Sequence, residues 1–202
     1  MRPAARNSMW RFGFGTPINY SDNEVFCGGV GSKLIIFFTI LRFILCLFVI
    51  LVLWFISVQF KENDGKCGVC GDDWGKARPR ENENGGRYGT GTISEIYMQG
   101  QVIEVEVELT TNHWGWFEFK LCPTNDKTVL ETDACMNKYP LYLVGGGDHE
   151  TKFYIPKDSK KKDTFKYKLQ LPPDVVCSQC VVQWTYWTGK FSHGNLRTIF
   201  II

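Results

Sequence analysis

Gln101-Val-Ile-Glu-Val-Glu-Val-Glu-Leu109 carries the clearest structural pattern in this chain. Its residues alternate, so that Val105, Val107 and Leu109 share one face and the glutamates share the other. A period of two is typical of a β-strand with one buried and one solvated face. We therefore predict a strand here and interpret the glutamates as its solvated side rather than as an acid/base pair.

Two later stretches extend this pattern. Thr164-Phe-Lys-Tyr-Lys-Leu-Gln-Leu171 alternates in the same way, and Cys180-Val-Val-Gln-Trp-Thr-Tyr-Trp187 is a third apolar stretch. Residues 61–90 contain many glycines and charges and are predicted to be loop. Short strands separated by Gly and Pro predict an all-β fold, an antiparallel β-sandwich with long loops.

The composition excludes some function classes. The chain has 202 residues, enough for one domain with a sizeable core, and 23 basic residues balance 21 acidic ones. This balance gives no reason to expect a nucleic-acid partner. The sequence also lacks a nucleophile elbow, a phosphate-binding glycine loop and the HExxH zinc motif.

The cysteines point to an oxidising compartment. There are 8, and Cys46 lies within an apolar run, so an odd number remains for disulfides and one partner is missing. The pairs Cys67-Gly-Val-Cys70 and Cys177-Ser-Gln-Cys180 could instead hold zinc, but they lie more than half the chain apart. We favour disulfides. The first residues contain no apolar core of a secretory signal peptide.

Residues 34–58 form an apolar run whose only charge is Arg42. As a helix, the run would extend about 37 Å at ~1.5 Å per residue, which is longer than a bilayer core of roughly 30 Å. One interpretation is therefore a transmembrane-like apolar helix that anchors the chain as a single-pass membrane protein. The cysteine-rich remainder would then lie outside the cell.

A second interpretation is that residues 34–58 are a read-through insert. The run has no helix caps and is built almost entirely from Leu, Ile, Phe and Val, as a translated intron would be. A membrane helix here would also place Cys27 and Cys67 on opposite sides of a bilayer. We favour the insert, and the genuine membrane span stays open as the alternative.

The stretch Asn112-His-Trp-Gly-Trp-Phe-Glu118 places a histidine at a strand end among aromatic residues. His113 can bind a metal through a neutral ring nitrogen. A simpler interpretation is a strand-end residue that donates to a backbone carbonyl. His149 lies in a polar, glycine-rich loop and His193 lies near the end of the chain, and neither is assigned a function.

Several segments resemble one enzyme family in the same order. They are residues 5–14, 19–29, 65–72, 88–93, the stretch around His113, and residues 177–186. Together they are similar to the insect-type lytic polysaccharide monooxygenases of auxiliary activity family fifteen, which contain a chitin-binding type-4 domain. The resemblance covers roughly residues 3–31 and 59–189.

The resemblance implies a secreted, immunoglobulin/fibronectin-III-like β-sandwich that oxidises C–H bonds beside the glycosidic linkages of chitin or cellulose. It also implies a single copper, held by the amine and ring of an N-terminal histidine and by a second histidine that His113 matches. Trp114 and Trp116 are then candidates for binding insoluble polysaccharide, for which the resemblance points to chitin. The disulfide candidates are Cys27, Cys67, Cys70, Cys122, Cys135, Cys177 and Cys180.

The chain departs from the family pattern in three places. It begins with Met1 and has no histidine before His113, residues 34–58 interrupt the match, and residues 190–202 form an unrelated tail without the axial aromatic. The predicted organisation is thus an N-terminal family segment (1–31), the apolar run, the main sandwich (59–189) and the tail. We expect the polypeptide as printed to be inactive. The alternatives are a non-catalytic chitin-binding module and a membrane-anchored β-sandwich protein.

Overall fold

Two antiparallel sheets make up the body of the protein in a computed structural model, which describes residues 2–22, 27–28, 30–38, 49–145, 150–188 and 195–201. In chain order the elements are a 3₁₀ helix (Arg6–Phe12), β1 (Val30–Phe38), β2 (Val49–Ser57), α1 (Val58–Lys61), β3 (Val102–Leu109), β4 (Gly115–Pro123), α2 (Asp133–Lys138), β5 (Tyr142–Leu143), β6 (Phe153–Tyr154), β7 (Asp163–Gln170), β8 (Cys180–Thr188) and β9 (Asn195–Ile201). One sheet has the order β3-β7-β5 and the other has the order β6-β4-β8-β9. The predicted strands at 101–109, 164–171 and 180–187 are confirmed to within two residues.

Buried residues alternate along each strand, so each sheet has one buried face. The buried faces of the two sheets together form the core. Val107 of β3 lies opposite Phe165 of β7, and Phe117 of β4 lies opposite Tyr186 of β8. All four side chains belong to one apolar cluster. Burying a large apolar side chain stabilises the fold by roughly 1.5–3 kcal/mol, so this cluster holds the sheets together. The antiparallel β-sandwich predicted from the sequence is confirmed.

A second, smaller layer covers part of the outer face of the four-stranded sheet. The loop before β3 places Val69 and Cys70 against Val181, and α2 adds Met136 to the same cluster. The side-chain amide of Gln183 donates to the backbone oxygen of Val69 at 2.5 Å. The long loop predicted at 61–90 therefore packs as a structural layer on the sheet.

Buried ion pairs hold the N-terminal segment to these loops. Arg6 lies 2.8 Å from Glu131, and both side chains are almost fully buried. Glu83 is also buried and pairs with Arg80 at 2.6 Å and with Arg78 at 2.8 Å. Removing one partner from such a pair leaves a buried charge uncompensated, which is strongly destabilising. These contacts therefore fix the loops in place.

Three disulfides join the cysteines of the described residues. They are Cys27–Cys67, Cys122–Cys135 and Cys177–Cys180. Cys70 is a buried free thiol, as expected if one partner is missing, and Cys46 lies outside the described residues. The zinc alternative is wrong, because three of its four proposed ligands are bonded to other cysteines.

The predicted helix over residues 34–58 is wrong at residues 34–38 and 49–57, which are strands. Residues 30–38 and 49–57 form a two-stranded antiparallel hairpin, with Val30 opposite Ser57 and Phe38 opposite Val49. Residues 39–48 lie outside the described residues. A continuous apolar run has no periodicity that separates helix from strand, and its Val, Ile and Phe content suits a strand. Within the described ranges, no helix is long and apolar enough to cross a membrane.

The tail predicted to be unrelated to the family in sequence supplies an edge strand of the four-stranded sheet. β9 pairs antiparallel with β8 along its whole length, from Asn195 opposite Trp187 to Ile201 opposite Val181. Residues 189–194, which include His193, lie outside the described residues. The structure therefore places a strand at the sheet edge, while the sequence relation of this tail to the family stays a prediction.

Candidate functional site

His113 lies in the short connection between β3 and β4, at one end of the sandwich, and is half-buried. Its backbone N–H donates to the phenol oxygen of Tyr186 at 2.8 Å. Tyr186 is fully buried in the core between the sheets. The position of the candidate ligand is therefore set by a side chain of the core.

Asn112 fixes the same connection from the other side. It is 3% exposed, its backbone N–H donates to the oxygen of Lys161 at 2.7 Å, and its side-chain nitrogen donates to the oxygen of Lys160 at 3.2 Å. Its side-chain oxygen accepts the backbone N–H of Trp114 at 2.8 Å. The backbone and side-chain N–H groups of Asn112 thus join the turn to the loop before β7.

Trp114 and Gly115 give the turn its direction, because both have positive φ angles, 53° and 98°. A left-handed conformation costs a non-glycine residue roughly 1–2 kcal/mol. The hydrogen bond from Trp114 to Asn112 offsets part of this strain. The reversal turns the chain from β3 into β4 and leaves His113 at the end of the sandwich.

The phenol of Tyr186 remains protonated at neutral pH. Burial raises its pKa above the ordinary value, and the hydrogen bond from the His113 backbone lowers it only in part. A neutral phenol both accepts and donates. Tyr186 therefore accepts from His113 while its own hydroxyl lies 3.4 Å from the side-chain oxygen of Asn112.

The two tryptophans predicted to bind substrate lie in different settings. Trp114 belongs to the turn, and its indole N–H donates to the backbone oxygen of Lys157 at 3.4 Å. Trp116 is on β4 and points away from the core, since the alternate residue Phe117 is fully buried. Both are half-buried. Whether either one contacts a polysaccharide stays a prediction.

Two aromatic residues that the sequence did not lead us to assign to the site lie beside Trp116. Trp187 stacks on it with ring centres 5.9 Å apart, and Tyr154 lies on the other side, also at 5.9 Å. The sequence contained a signal for Trp187: if Tyr186 faces the core, its neighbour on the same strand faces outward. Tyr154 lies on a strand of only two residues, which leaves too short a pattern to detect.

The described residues supply one imidazole for a metal and no complete site. They contain no group of three His, Cys, Asp or Glu side chains that could hold an ion. A copper held by two imidazoles and an amine thus does not fit these residues alone, and His113 is the one ligand that they contribute. His149 lies outside the described residues.

The amino-terminal segment runs alongside β3 towards this same end of the sandwich. The backbone N–H groups and carbonyl oxygens of Arg2 and Glu106 exchange two hydrogen bonds, each 2.8 Å long, in an antiparallel bridge. Because the bridge is antiparallel, the amino-terminal side of Arg2 faces the Leu109 end of β3, which the His113 turn follows.

Comparisons with known proteins agree on one family. Residues 56–195 match the family described as lytic polysaccharide mono-oxygenase, cellulose-degrading. A solved structure, the lytic polysaccharide monooxygenase AA15 from Thermobia domestica in the Cu(I) state, is 33% identical in sequence. It matches 99% of this chain and 94% of its own with a TM-score of 0.78. No curated protein matches the chain. The chain belongs to the lytic polysaccharide monooxygenase family.

Proposed function

We propose that this domain is of the type that oxidatively cleaves chitin or a related β-1,4-glycan, with His113 as one copper ligand, and that the polypeptide as printed is inactive because its described residues complete no copper site. The observation that carries this proposal is the turn at His113, which the buried Tyr186 and Asn112 hold rigidly at an end of the sandwich. Copper accepts imidazole and amine nitrogens in a planar arrangement with open positions. When bound, it would supply the one-electron chemistry that activates oxygen or peroxide for C–H oxidation.

The protein's own residues provide position and access. Tyr186 and Asn112 orient the backbone of the turn, so the imidazole of His113 needs little reorganisation on metal binding. Trp114 stands next to it and provides an aromatic surface for a sugar ring. The bridge from Arg2 to Glu106 brings the amino-terminal segment towards this turn, which is where the remaining ligands would come from.

The three disulfides support a location outside the cell, where such bonds persist. Insoluble polysaccharide is also found there. We therefore propose a secreted protein that acts at the surface of a solid glycan.

The test is His113→Ala in a polypeptide whose amino terminus is extended by a few residues that begin with histidine. We expect the variant to lose the nitrogen-coordinated Cu(II) signal in electron paramagnetic resonance and to release no oxidised oligosaccharides from chitin. Its unfolding temperature, measured beside that of the unmodified protein, tests whether the fold is retained, since alanine keeps the backbone N–H that donates to Tyr186. An unchanged copper signal with unchanged products would rule out His113 as a ligand.

A second candidate function is a non-catalytic polysaccharide-binding module. The half-exposed aromatic side chains beside His113 favour it. Adsorption to insoluble chitin, compared between the unmodified protein and Trp114→Ala, tests this function without copper. Equal depletion from solution by both proteins would remove Trp114 from the binding surface.

A further inference from the structure

One stretch near the amino terminus carries a modification motif that the proposed function does not use. Asn19-Tyr-Ser21 has the pattern Asn-X-Ser, in which X is any residue except proline. It is the one such pattern in the sequence, because no other asparagine has serine or threonine two positions later. Oligosaccharide is attached to this pattern on proteins that enter the eukaryotic secretory pathway. The motif alone is short, so its setting in the fold decides whether Asn19 can carry a glycan.

The motif lies at a solvent-facing turn that follows the 3₁₀ helix. Tyr20 is 81% exposed, Ser21 is exposed, and Asn19 is half-buried. The loop before the motif is open as well. A Cβ atom placed on Gly13 or Gly15 would meet no atom of the described residues within 4 Å beyond its chain neighbours. A glycan attached at Asn19 would therefore extend into solvent without displacing packed side chains.

The side chain of Asn19 uses its oxygen to build this turn and leaves its nitrogen unused. Oδ1 accepts the backbone N–H of Ser21 at 3.0 Å, which closes a turn typical of asparagine. The backbone carbonyl of Asn19 accepts the indole N–H of Trp10 at 3.2 Å, which ties the turn to the 3₁₀ helix. Nδ2, the atom that carries the sugar in an N-linked glycan, has no hydrogen-bond partner among the residues that the structure describes. Attaching a sugar to Nδ2 therefore breaks none of the hydrogen bonds that hold the turn.

Covalent and ionic contacts place this segment in the same compartment as the rest of the sandwich. Cys27, which follows the motif, forms a disulfide with Cys67 in the long loop. Before the motif, Arg6 pairs with the buried Glu131 at 2.8 Å. The disulfide requires that both cysteines meet in an oxidising compartment. In a eukaryotic cell, the compartment that oxidises the cysteines of newly made chains is also the one that glycosylates asparagine.

We propose that Asn19 carries an N-linked glycan. In the reaction, Nδ2 attacks the anomeric carbon of an N-acetylglucosamine whose oligosaccharide is linked to a lipid diphosphate. The bond from Nδ2 to this carbon forms, the bond from the carbon to the phosphate oxygen breaks, and the amide nitrogen gives up one proton. The lipid diphosphate leaves with the electron pair of the broken bond. The modification rests on the proposed location outside the cell and not on copper or on glycan oxidation.

The experiment expresses the full chain behind a cleavable secretory leader in insect cells and measures the intact mass of the purified protein. We expect most molecules to carry the added mass of an oligosaccharide. A peptide N-glycosidase that accepts fucosylated cores, used in water enriched in heavy oxygen, should remove this mass and leave a labelled carboxylate at Asn19. If the chain is retained in the cells, the same masses are measured on the retained protein, because glycan transfer precedes export.

Ser21→Ala separates the motif from the turn that contains it. Alanine keeps the backbone N–H that donates to Asn19 and removes only the hydroxyl that the motif requires. We expect the added mass to disappear and the unfolding temperature to match that of the enzymatically deglycosylated protein. Ser21→Thr keeps a hydroxyl and should keep the glycan. Asn137→Gln is the matched control, because Asn137 is exposed on α2 but is followed two positions later by Tyr139.

The outcomes separate this proposal from the proposed function. An added mass that disappears in Ser21→Ala and persists in Ser21→Thr and Asn137→Gln supports the site, even where the protein forms no oxidised product. A protein with the mass of the bare polypeptide overturns the proposal, even where copper-dependent products form. An added mass that survives in Ser21→Ala also overturns it, because the oligosaccharide is then attached elsewhere.

Discussion

The backbone N–H of His113 lies 2.8 Å from the phenol oxygen of Tyr186 and donates to it. One residue belongs to the turn at the end of the sandwich and the other to the centre of the core. Tyr186 packs edge-to-face on Phe117 with ring centres 5.0 Å apart, so its own position is fixed by the contact between β4 and β8. The candidate ligand is thus positioned by the same packing that joins the strands.

Tyr186→Phe tests this relationship. The substitution keeps the ring in the core and removes the acceptor, which leaves the His113 N–H unpaired. We expect the free energy of unfolding to fall by about 1 kcal/mol, measured by urea denaturation. In a polypeptide extended at its amino terminus to begin with histidine, copper affinity should fall as well, because the turn is less well held.

Tyr167→Phe is its matched control. The Tyr167 hydroxyl is also buried, but it has no hydrogen-bond partner among the described residues. Its removal should therefore leave stability unchanged or slightly higher. Equal destabilisation by both substitutions would mean that the hydroxyl of Tyr186 acts through packing and not through His113.

Tyr167 also predicts how stability depends on alkaline pH. Burial raises its pKa from 10.0 to about 12. As the pH rises through this range, the unfolded chain loses the proton while the folded chain keeps it. The contribution of Tyr167 is therefore complete below pH 10 and is lost progressively towards pH 12.

We expect the free energy of unfolding to decline less steeply over this range in Tyr167→Phe than in the unmodified protein. Denaturation by urea at several pH values, each with both proteins, measures the difference in slope. Because both proteins share every lysine, titration of other groups cancels in the comparison. Parallel declines would show that the phenol is as easily ionised in the folded state as in the unfolded one.

The strand alternation in the sequence predicted the sandwich because one face of each strand is buried. Val107 and Glu106 on β3 show this directly: one is 2% exposed, whereas the side chain of the other is 30% exposed and pairs with Lys166. The apolar run at 34–58 carried no such contrast, and a helix and a strand pair fitted it equally well. Pairing with a neighbouring strand decided between them, and that is a tertiary property.

The candidate site was predicted only in part, for a similar reason. His113 stood out because of its strand-end position and its family context. Trp187 and Tyr154 join Trp116 only through strand register, and a sequence does not state which strands are neighbours. The role of Glu118 likewise follows only from the structure, in which the indole N–H groups of Trp116 and Trp187 both donate to its carboxylate.

Glu83 predicts how the loop layer depends on ion pairing. Glu83→Ala leaves the buried Arg80, which is 5% exposed, without its carboxylate partner and beside a second arginine, Arg78. We expect a loss of about 3 kcal/mol in the free energy of unfolding. Glu81→Ala is the control: Glu81 is exposed, and its removal should change stability by less than about 0.5 kcal/mol.

The same carboxylate should make the free energy of unfolding sensitive to acid. Burial alone would raise the pKa of Glu83, but hydrogen bonds from Arg78 and Arg80 outweigh it and leave the pKa below its ordinary value. A lowered pKa gives stability that is present above the unfolded value, about 4.3, and is lost as the pH falls below it. Glu83→Gln should therefore show a flatter decline of stability in acid than the unmodified protein, as followed by urea unfolding.

The direction of the amino-terminal segment gives a prediction about copper. Arg2 pairs antiparallel with Glu106, so residues placed before Met1 would extend towards the His113 turn. At about 3.3 Å per residue, the three residues from Glu106 to Leu109 span about 10 Å, so we choose an extension of roughly three to six residues. A polypeptide that begins at Met1 brings one imidazole from the described residues, and we expect it to bind Cu(II) weakly. A polypeptide that begins with histidine on such an extension adds an amine and a second imidazole.

Calorimetric titration of both polypeptides with Cu(II) measures the difference. We expect the extended polypeptide to bind at least about a hundredfold more tightly, because copper gains two nitrogen ligands in a planar arrangement. His113→Ala in the extended polypeptide should remove most of this gain, since a terminal amine and imidazole alone also bind copper but lack the third nitrogen. If the gain persists without His113, the extension binds copper by itself, and the amino-terminal segment does not meet the turn as its pairing with β3 indicates.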